Sequence, residues 1–194
     1  LHSTSRRQRQ MCIRDRDENL KIAVFDAGHS LEQRHCPIDG EKVKSCIGCK
    51  TCAIMNGFGG AGAFSDGKYN ITNDFGGTLY EYIGRQKALE LMKYVDTINM
   101  SHGGEGTKMY STAGTDLKKV CLQNKLKLLD ASVRHLGTDV NYVVLKNLYD
   151  EMKEHMDFFF DTPVEKIQVK EDGYTVSAKD AEYALSLIHL SEPT

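Results

Sequence analysis

The chain has 194 residues, of which 40% are apolar and 27% charged, and its formal net charge at pH 7 is −2. These totals predict a soluble globular protein of one domain, or of one domain with an insertion. The near-neutral charge excludes a protein whose whole surface is built to bind nucleic acid. No apolar run reaches the roughly 18 residues of a membrane span, and no secretory signal is visible. We therefore expect a cytoplasmic protein with no membrane span and no nucleic-acid partner.

The two ends of the chain differ in character from the rest. Residues 1–16 contain five arginines and no glycine. The stretch Met11-Cys12-Ile13-Arg14-Asp15-Arg16 resembles a translated sequencing-adapter tail, and so do residues 185–194. We therefore expect non-native tails at residues 1–16 and 185–194, and a natural segment at 17–184 that is an internal fragment of a longer protein.

An apolar run at residues 21–28 contains Asp26 and ends at Gly28. Such a run is typical of a buried strand in a parallel sheet. In a dinucleotide-binding βαβ unit the second strand ends in an acidic residue whose carboxylate binds a ribose. Asp26 is placed either for this role or as a solvated strand end. The fingerprint Gly-x-Gly-x-x-Gly does not precede it, because Gly28 is the first glycine of the chain.

Four cysteines follow within a polar, irregular stretch. Three of them have the spacing of metal ligands, Cys46-x-x-Cys49-x-x-Cys52, and Cys36 precedes them. As thiolates they are suited to hold zinc or an iron–sulfur cluster, with His35 as a substitute for the fourth ligand. The alternative is a loop of cysteines that are free or bridged to one another.

A glycine-rich loop at residues 57–68 is the most distinctive stretch of the chain. Backbone amides can approach an anion closely here, because glycine has no Cβ. Residues 62–68 nearly match a phosphate-binding P-loop, but Tyr69 stands where that motif requires Ser or Thr. Residues 57–62 match Gly-x-Gly-x-x-Gly, but they follow a cysteine-rich loop and not a clear strand. Five glycines fall within eleven residues: Gly57, Gly59, Gly60, Gly62 and Gly67.

Apolar periodicity predicts helices over residues 85–99, 116–129 and 139 onward. In the second helix we expect Leu117, Val120, Cys121 and Leu128 to face inward. Thr138 is expected to cap the third, whose stripe is formed by Val140, Val144, Leu148, Met152 and Met156.

Polar residues near the third helix are candidates for chemistry. His135 and Asp139 are suited to proton transfer and Arg134 to holding an anion, unless all three serve only at the surface or as caps. Strands are predicted at residues 158–161 and 164–169, and Asp172-Gly173 predicts a hairpin turn into a strand at 174–178.

The motifs at residues 21–28, 46–52, 57–68 and 135–139, together with Cys36-Pro37, resemble uncharacterised FAD-dependent dehydrogenases, which are NAD(P)/FAD-dependent oxidoreductases of the glutathione-reductase-like flavoprotein class. The resemblance covers most of residues 17–184. It implies an α/β, Rossmann-like FAD-binding domain of three layers with an inserted helical cap segment. The implied divisions are an N-terminal part of the FAD domain at 17–84 that lacks its first strand, a cap or substrate segment at 85–134, and a return part at 135–184.

The resemblance also implies roles for particular residues. Asp26 would bind the adenosine ribose of FAD, and the backbone of Val164 would contact the adenine. His135 would lie at the flavin end as the catalytic proton carrier. The part of the loop near the flavin and pyrophosphate would be formed by Gly59, Gly60, Ala61, Gly62 and Ser65.

The resemblance therefore implies an FAD-dependent oxidoreductase that transfers hydride through the flavin, with NAD(P)H as a candidate second cofactor and a small molecule as substrate. We expect the 194-residue fragment to be inactive alone. The alternative is a metal-binding module without flavin, in which Cys36, Cys46, Cys49 and Cys52 hold zinc or an iron–sulfur cluster.

Overall fold

The computed structural model describes residues 20–188. Within this range the chain divides into two units. The inserted unit is Phe64–Leu148, and the split unit consists of the described residues before 64 and after 148. The tail expected at residues 1–16 and positions 189–194 of the second tail lie outside the described residues.

The fold is mixed α/β. Short 3₁₀ turns lie at Leu31–Gln33 and Gly60–Phe64, and a π-helical turn lies at Met100–Gly104. The other elements are, in chain order, β1 (Ile22–Phe25), β2 (Lys68–Ile71), α1 (Leu79–Ile83), α2 (Arg85–Asn99), β3 (Met109–Ser111), α3 (Leu117–Gln123), β4 (Ser132–His135), α4 (Thr138–Lys153), β5 (Met156–Phe159), β6 (Val164–Lys170), β7 (Gly173–Ala178) and β8 (Ala181–Leu185).

In the split unit, β1 and β5 pair in parallel, with Ile22 opposite Met156 and Phe25 opposite Phe159. The strands β6, β7 and β8 form a separate antiparallel sheet. Aromatic packing joins the two sheets, because the ring of Tyr183 on β8 lies 4.8 Å from that of Phe25 and 5.2 Å from that of Phe159. These edge-to-face contacts stabilise the unit by more than the burial of apolar area alone.

In the inserted unit, β4 is the central strand of an antiparallel sheet with β2 and β3 on either side. A bidentate ion pair ties this sheet to α2. The guanidinium of Arg134 donates to both carboxylate oxygens of Asp96, at 2.8 and 2.7 Å, and to the carbonyl oxygen of Thr107. Hydrogen bonding to the Asp96 carboxylate raises the pKa of Arg134.

Several predicted elements are confirmed. The helix predicted at residues 85–99 is α2, and the predicted hairpin is formed by β6 and β7. The stripe of the third helix is largely buried at Val144, Leu148 and Met152. Thr138 is the first residue of α4 and does not precede it, and Met156 belongs to β5. Among residues 20–188, no helix combines the length and apolar character needed to cross a bilayer.

The prediction for the second helix was wrong in its end and in its buried face. The helix ends at Gln123 in a Schellman motif: the N–H of Leu126 donates to the carbonyl oxygen of Cys121, and that of Lys125 to Leu122. Lys125 takes the left-handed φ of +58° that this motif requires. The helix contributes no buried side chain, and Leu117 and Val120 are 57% and 50% exposed.

The segment expected to be a helical cap at residues 85–134 also contains strands. β3 and all but the last residue of β4 fall inside it, and the inserted unit runs from 64 to 148. Two further strands, β2 and β8, were not predicted. β8 ends at Leu185, the first residue of the expected second tail, and Leu185 pairs with Tyr174.

Candidate functional site

The site is centred on Asp26, which follows β1 directly. One carboxylate oxygen of Asp26, Oδ1, accepts hydrogen bonds from the backbone N–H of Gly28 at 2.8 Å and of Gly57 at 3.1 Å. The carboxylate therefore fastens the start of the glycine-rich loop to the end of the strand. Its other oxygen, Oδ2, has no hydrogen-bond partner among residues 20–188.

The backbones at Gly28 and Gly57 meet so closely that neither position has room for a side chain. A Cβ on Gly28 would overlap the backbone of Asn56 and Gly57, and one on Gly57 would overlap the carbonyl oxygen of His29. Gly57 also has a φ of +98°, which L side chains rarely adopt. Glycine is therefore required here by both space and conformation.

Arg34 holds the glycine-rich loop from the inside. Its side chain is only 5% exposed, and its guanidinium donates to four backbone carbonyl oxygens. Burial lowers the pKa of Arg34, and the charges of Asp26 and Cys52 partly offset this effect. The four acceptors are Ala53 at 2.8 Å, Ile54 at 2.6 Å, Phe58 at 2.7 Å and Gly60 at 2.8 Å.

The predicted loop residues do not all share one environment. Gly59 and Gly60 have φ values of +92° and +54°, Gly62 is half-buried, and Ala61 is exposed. Ser65 is exposed and belongs to the inserted unit, where its hydroxyl accepts the N–H of Gly67. The split unit therefore holds four of the five residues that the resemblance assigned to the flavin and pyrophosphate.

The chain that follows β5 is hydrogen-bonded to the chain that follows β1. The N–H of Thr162 donates to the carbonyl oxygen of Asp26, and that of Asp161 to Gly28, both at 3.0 Å. The side chain of Asp161 contacts that of His29, with Oδ1 at 2.5 Å from Nδ1. The carboxyl ends of the two parallel strands thus form one connected polar edge.

Val164, the residue assigned to adenine, is the first residue of β6. It is 42% exposed and pairs with Ala178 across the antiparallel sheet. It follows Thr162 by two residues, so it lies on the chain that leaves this polar edge.

His135, the predicted catalytic residue, lies in the inserted unit. It is the last residue of β4, opposite Lys68 on β2, and its Nε2 lies 3.9 Å from Oδ2 of Asp66. The pKa of Asp66 is lowered, mainly by its hydrogen bond from Lys68 at 2.6 Å. Asp66 is therefore a carboxylate at neutral pH.

The two other polar residues proposed for chemistry in this region are Arg134 and Asp139. Arg134 is engaged in its ion pair with Asp96. Asp139 is exposed in the first turn of α4, where a negative charge stabilises the helix dipole.

The four cysteines proposed as metal ligands belong to the split unit. All four are unpaired thiols; Cys46 and Cys49 are exposed, and Cys36 and Cys52 are half-buried. Among residues 20–188, no three His, Cys, Asp or Glu side chains are grouped closely enough to hold a metal ion. The chain from Arg34 to Gly59 contains no helix or strand.

Comparison with known proteins found no matching family model, no similar curated protein and no similar solved structure. The resemblance to flavoproteins therefore depends on the motifs alone.

Three residues of the site were not predicted from the sequence: His29, Arg34 and Asp161. The only local signal for His29 is its position directly after Gly28, three residues past the acidic strand end. Arg34 is surrounded by Gln33 and His35, so no apolar pattern marks it as buried.

Proposed function

We propose that this chain is part of an FAD-dependent oxidoreductase and contributes the binding site for the adenosine end and the pyrophosphate of the flavin nucleotide. One observation carries the proposal. A single carboxylate at the end of a parallel strand, that of Asp26, holds the start of the glycine-rich loop with one oxygen and leaves the other open.

The position of Asp26 supports the nucleotide assignment. In doubly wound α/β sheets, ligands bind beyond the carboxyl ends of parallel strands, and an acidic residue there accepts a ribose hydroxyl. Asp26 lies at the carboxyl end of β1, beside the carboxyl end of β5. Its open oxygen is an acceptor, which is the group that a ribose O–H requires.

The glycine-rich loop supports the phosphate assignment. Its N–H groups at Gly57, Phe58 and Gly60 are used inside the split unit, by Asp26, His29 and Gly57. The N–H of Gly59 has no hydrogen-bond partner among residues 20–188. An unpaired amide in a segment of positive φ is suited to bind a phosphate oxygen.

Bound FAD would supply the hydride chemistry of the reaction. The chain's own residues bind and orient it: Asp26 at the ribose and Gly59 at a phosphate, with the loop held by Arg34. His135 remains the candidate for carrying a proton, because an imidazole can both accept and donate one. We expect NAD(P)H as the reductant.

The proposal is tested by titrating FAD with the purified chain and following the flavin fluorescence. We expect saturable quenching that is at least about tenfold weaker in Asp26→Ala, since one hydrogen bond to a charged group is lost. Asp157→Asn, an exposed aspartate on the neighbouring strand β5, is the matched control and should bind like the wild type. Absence of quenching by the wild-type chain contradicts the proposal.

A second candidate function, a cysteine-bound metal site, is favoured by the state of the thiols. Cys36, Cys46, Cys49 and Cys52 are all unpaired, and they lie on one segment without helix or strand. Metal analysis of protein purified under reducing conditions tests it. One equivalent of zinc, or iron with sulfide, that is lost in Cys46→Ser/Cys49→Ser would support this function, and Cys121→Ser is the control.

A further inference from the structure

None of the sequence motifs accounts for the contact between the side chains of His29 and Asp161. Both side chains are 41% exposed, so they are open to a ligand. Asp161 has a φ of +53°, a left-handed conformation that aspartate adopts more readily than most other non-glycine residues. The Asp161 carboxylate contacts the imidazole of His29 through Oδ1 and Nδ1.

This contact fixes which nitrogen of His29 faces a ligand. In the neutral imidazole, a carboxylate at Nδ1 accepts the proton held there, and the lone pair is then on Nε2. Nε2 has no hydrogen-bond partner among residues 20–188. It is therefore an oriented, open hydrogen-bond acceptor.

Two open acceptors thus lie at the same edge of the β1–β5 pair. One is Nε2 of His29 and the other is Oδ2 of Asp26. The two residues flank Gly57 from both sides: Asp26 accepts its N–H, and the carbonyl oxygen of His29 accepts the N–H of Phe58 at 3.2 Å.

We infer that His29 and Asp26 together bind the two adjacent hydroxyl groups of a ribose, with Asp161 as the positioning residue for His29. A vicinal diol presents two O–H donors side by side, and this edge presents two acceptors. The inference rests on the proposed function, because the ribose is that of the flavin nucleotide's adenosine. It adds a ribose-selective contact that the sequence motifs do not contain.

The test uses ADP, 2′-deoxy-ADP and 3′-deoxy-ADP as probes in isothermal titration of the purified chain. The wild type should bind ADP about tenfold more tightly than either deoxy analogue, as expected for one lost hydrogen bond. In His29→Ala, ADP should bind about tenfold more weakly, and one of the two analogues should then bind as well as ADP. In Asp26→Ala the other analogue should bind as tightly as ADP.

Further variants separate a ribose contact from a structural role. His29→Phe keeps the volume of the ring and removes both nitrogens, so it should behave like His29→Ala. Asp161→Asn should weaken ADP binding less than the loss of the ring does. His155→Ala, an exposed histidine in the same unit, should leave all three affinities unchanged.

The outcomes distinguish the two claims. If the wild-type chain binds neither FAD nor ADP, the proposed function fails and this inference fails with it. If the wild type binds ADP and the two His29 variants retain both its affinity and its preference over both deoxy analogues, the inference alone is overturned.

Discussion

Asp26 and Gly57 are 31 residues apart in the chain, and the carboxylate of one accepts the backbone N–H of the other at 3.1 Å. The same oxygen also accepts the N–H of Gly28. A strand end and a glycine-rich loop are therefore joined through one atom, and the second oxygen of that side chain has no hydrogen-bond partner among residues 20–188.

Replacing Asp26 should cost stability as well as ligand binding. Asp26→Ala leaves two N–H groups without their acceptor, and we expect a loss of about 2–4 kcal/mol in the free energy of unfolding. Asp26→Asn keeps a neutral acceptor and should lose about 1 kcal/mol. Urea denaturation measures both. Equal stabilities of the Ala variant and the wild type would show that the carboxylate does not hold the loop.

Gly57→Ala should be more costly than the same change at a glycine with open space around it. Gly40 has a φ of +78°, and a Cβ added there would meet nothing within 4 Å, so Gly40→Ala introduces only backbone strain. That strain should cost about 1 kcal/mol. Gly57→Ala adds the overlap with the carbonyl oxygen of His29 and should lose about 2–4 kcal/mol. Thermal denaturation of the two variants compares them, and similar losses would contradict the close contact.

Arg34→Lys should loosen the glycine-rich loop, although it keeps the charge. Lysine has one nitrogen and cannot reach four carbonyl oxygens at once, so we expect a loss of about 3 kcal/mol and faster hydrogen exchange of the amides near Phe58. Arg85→Lys is the control, because the Arg85 side chain is 61% exposed and its ion pair is with Asp74 at the surface. Its effect should be below about 1 kcal/mol. Unchanged exchange in Arg34→Lys would count against the loop contacts.

Removing Lys68 should raise the pKa of Asp66. In the folded chain the hydrogen bond from Lys68 lowers the pKa of Asp66, and the charge of His135 lowers it further. Because the folded pKa is the lower one, the stabilisation is present above the unfolded value of about 3.9 and is lost as the pH falls through the folded pKa. NMR titration of the Asp66 carboxyl carbon in Lys68→Met measures the shift. Lys166→Met is the control, and an unmoved Asp66 titration in Lys68→Met would refute the pairing.

Sequence patterns alone were sufficient to predict the longer elements and to place Asp26 at the end of a strand. The stripe of α4 and the apolar run before Asp26 are local signals, and both are confirmed. The strands β2, β3 and β4 have only four, three and four residues, too few for alternation to mark them. In the turn into β8, Lys179 and Asp180 have φ values of +46° and +64°. Because this turn contains no glycine, no turn motif in the sequence predicted the strand.

The remaining parts of the site depend on contacts between distant residues. Arg34 reaches carbonyl groups 19–26 residues further along the chain. His29 meets Asp161 only because β1 and β5 are neighbours. No spacing within a single stretch of sequence encodes either contact, whereas the loop glycines and Asp26 are recognisable from their own neighbours.

Hydrogen exchange of the chain with and without FAD tests the central claim most directly. We expect FAD to slow the exchange of the amides from Asp26 to His29 and from Gly57 to Gly62, and to leave Cys46–Cys52 unchanged. Protection that is absent from both of the first two segments would contradict the assignment of a flavin nucleotide to the carboxylate of Asp26 and the loop that it holds.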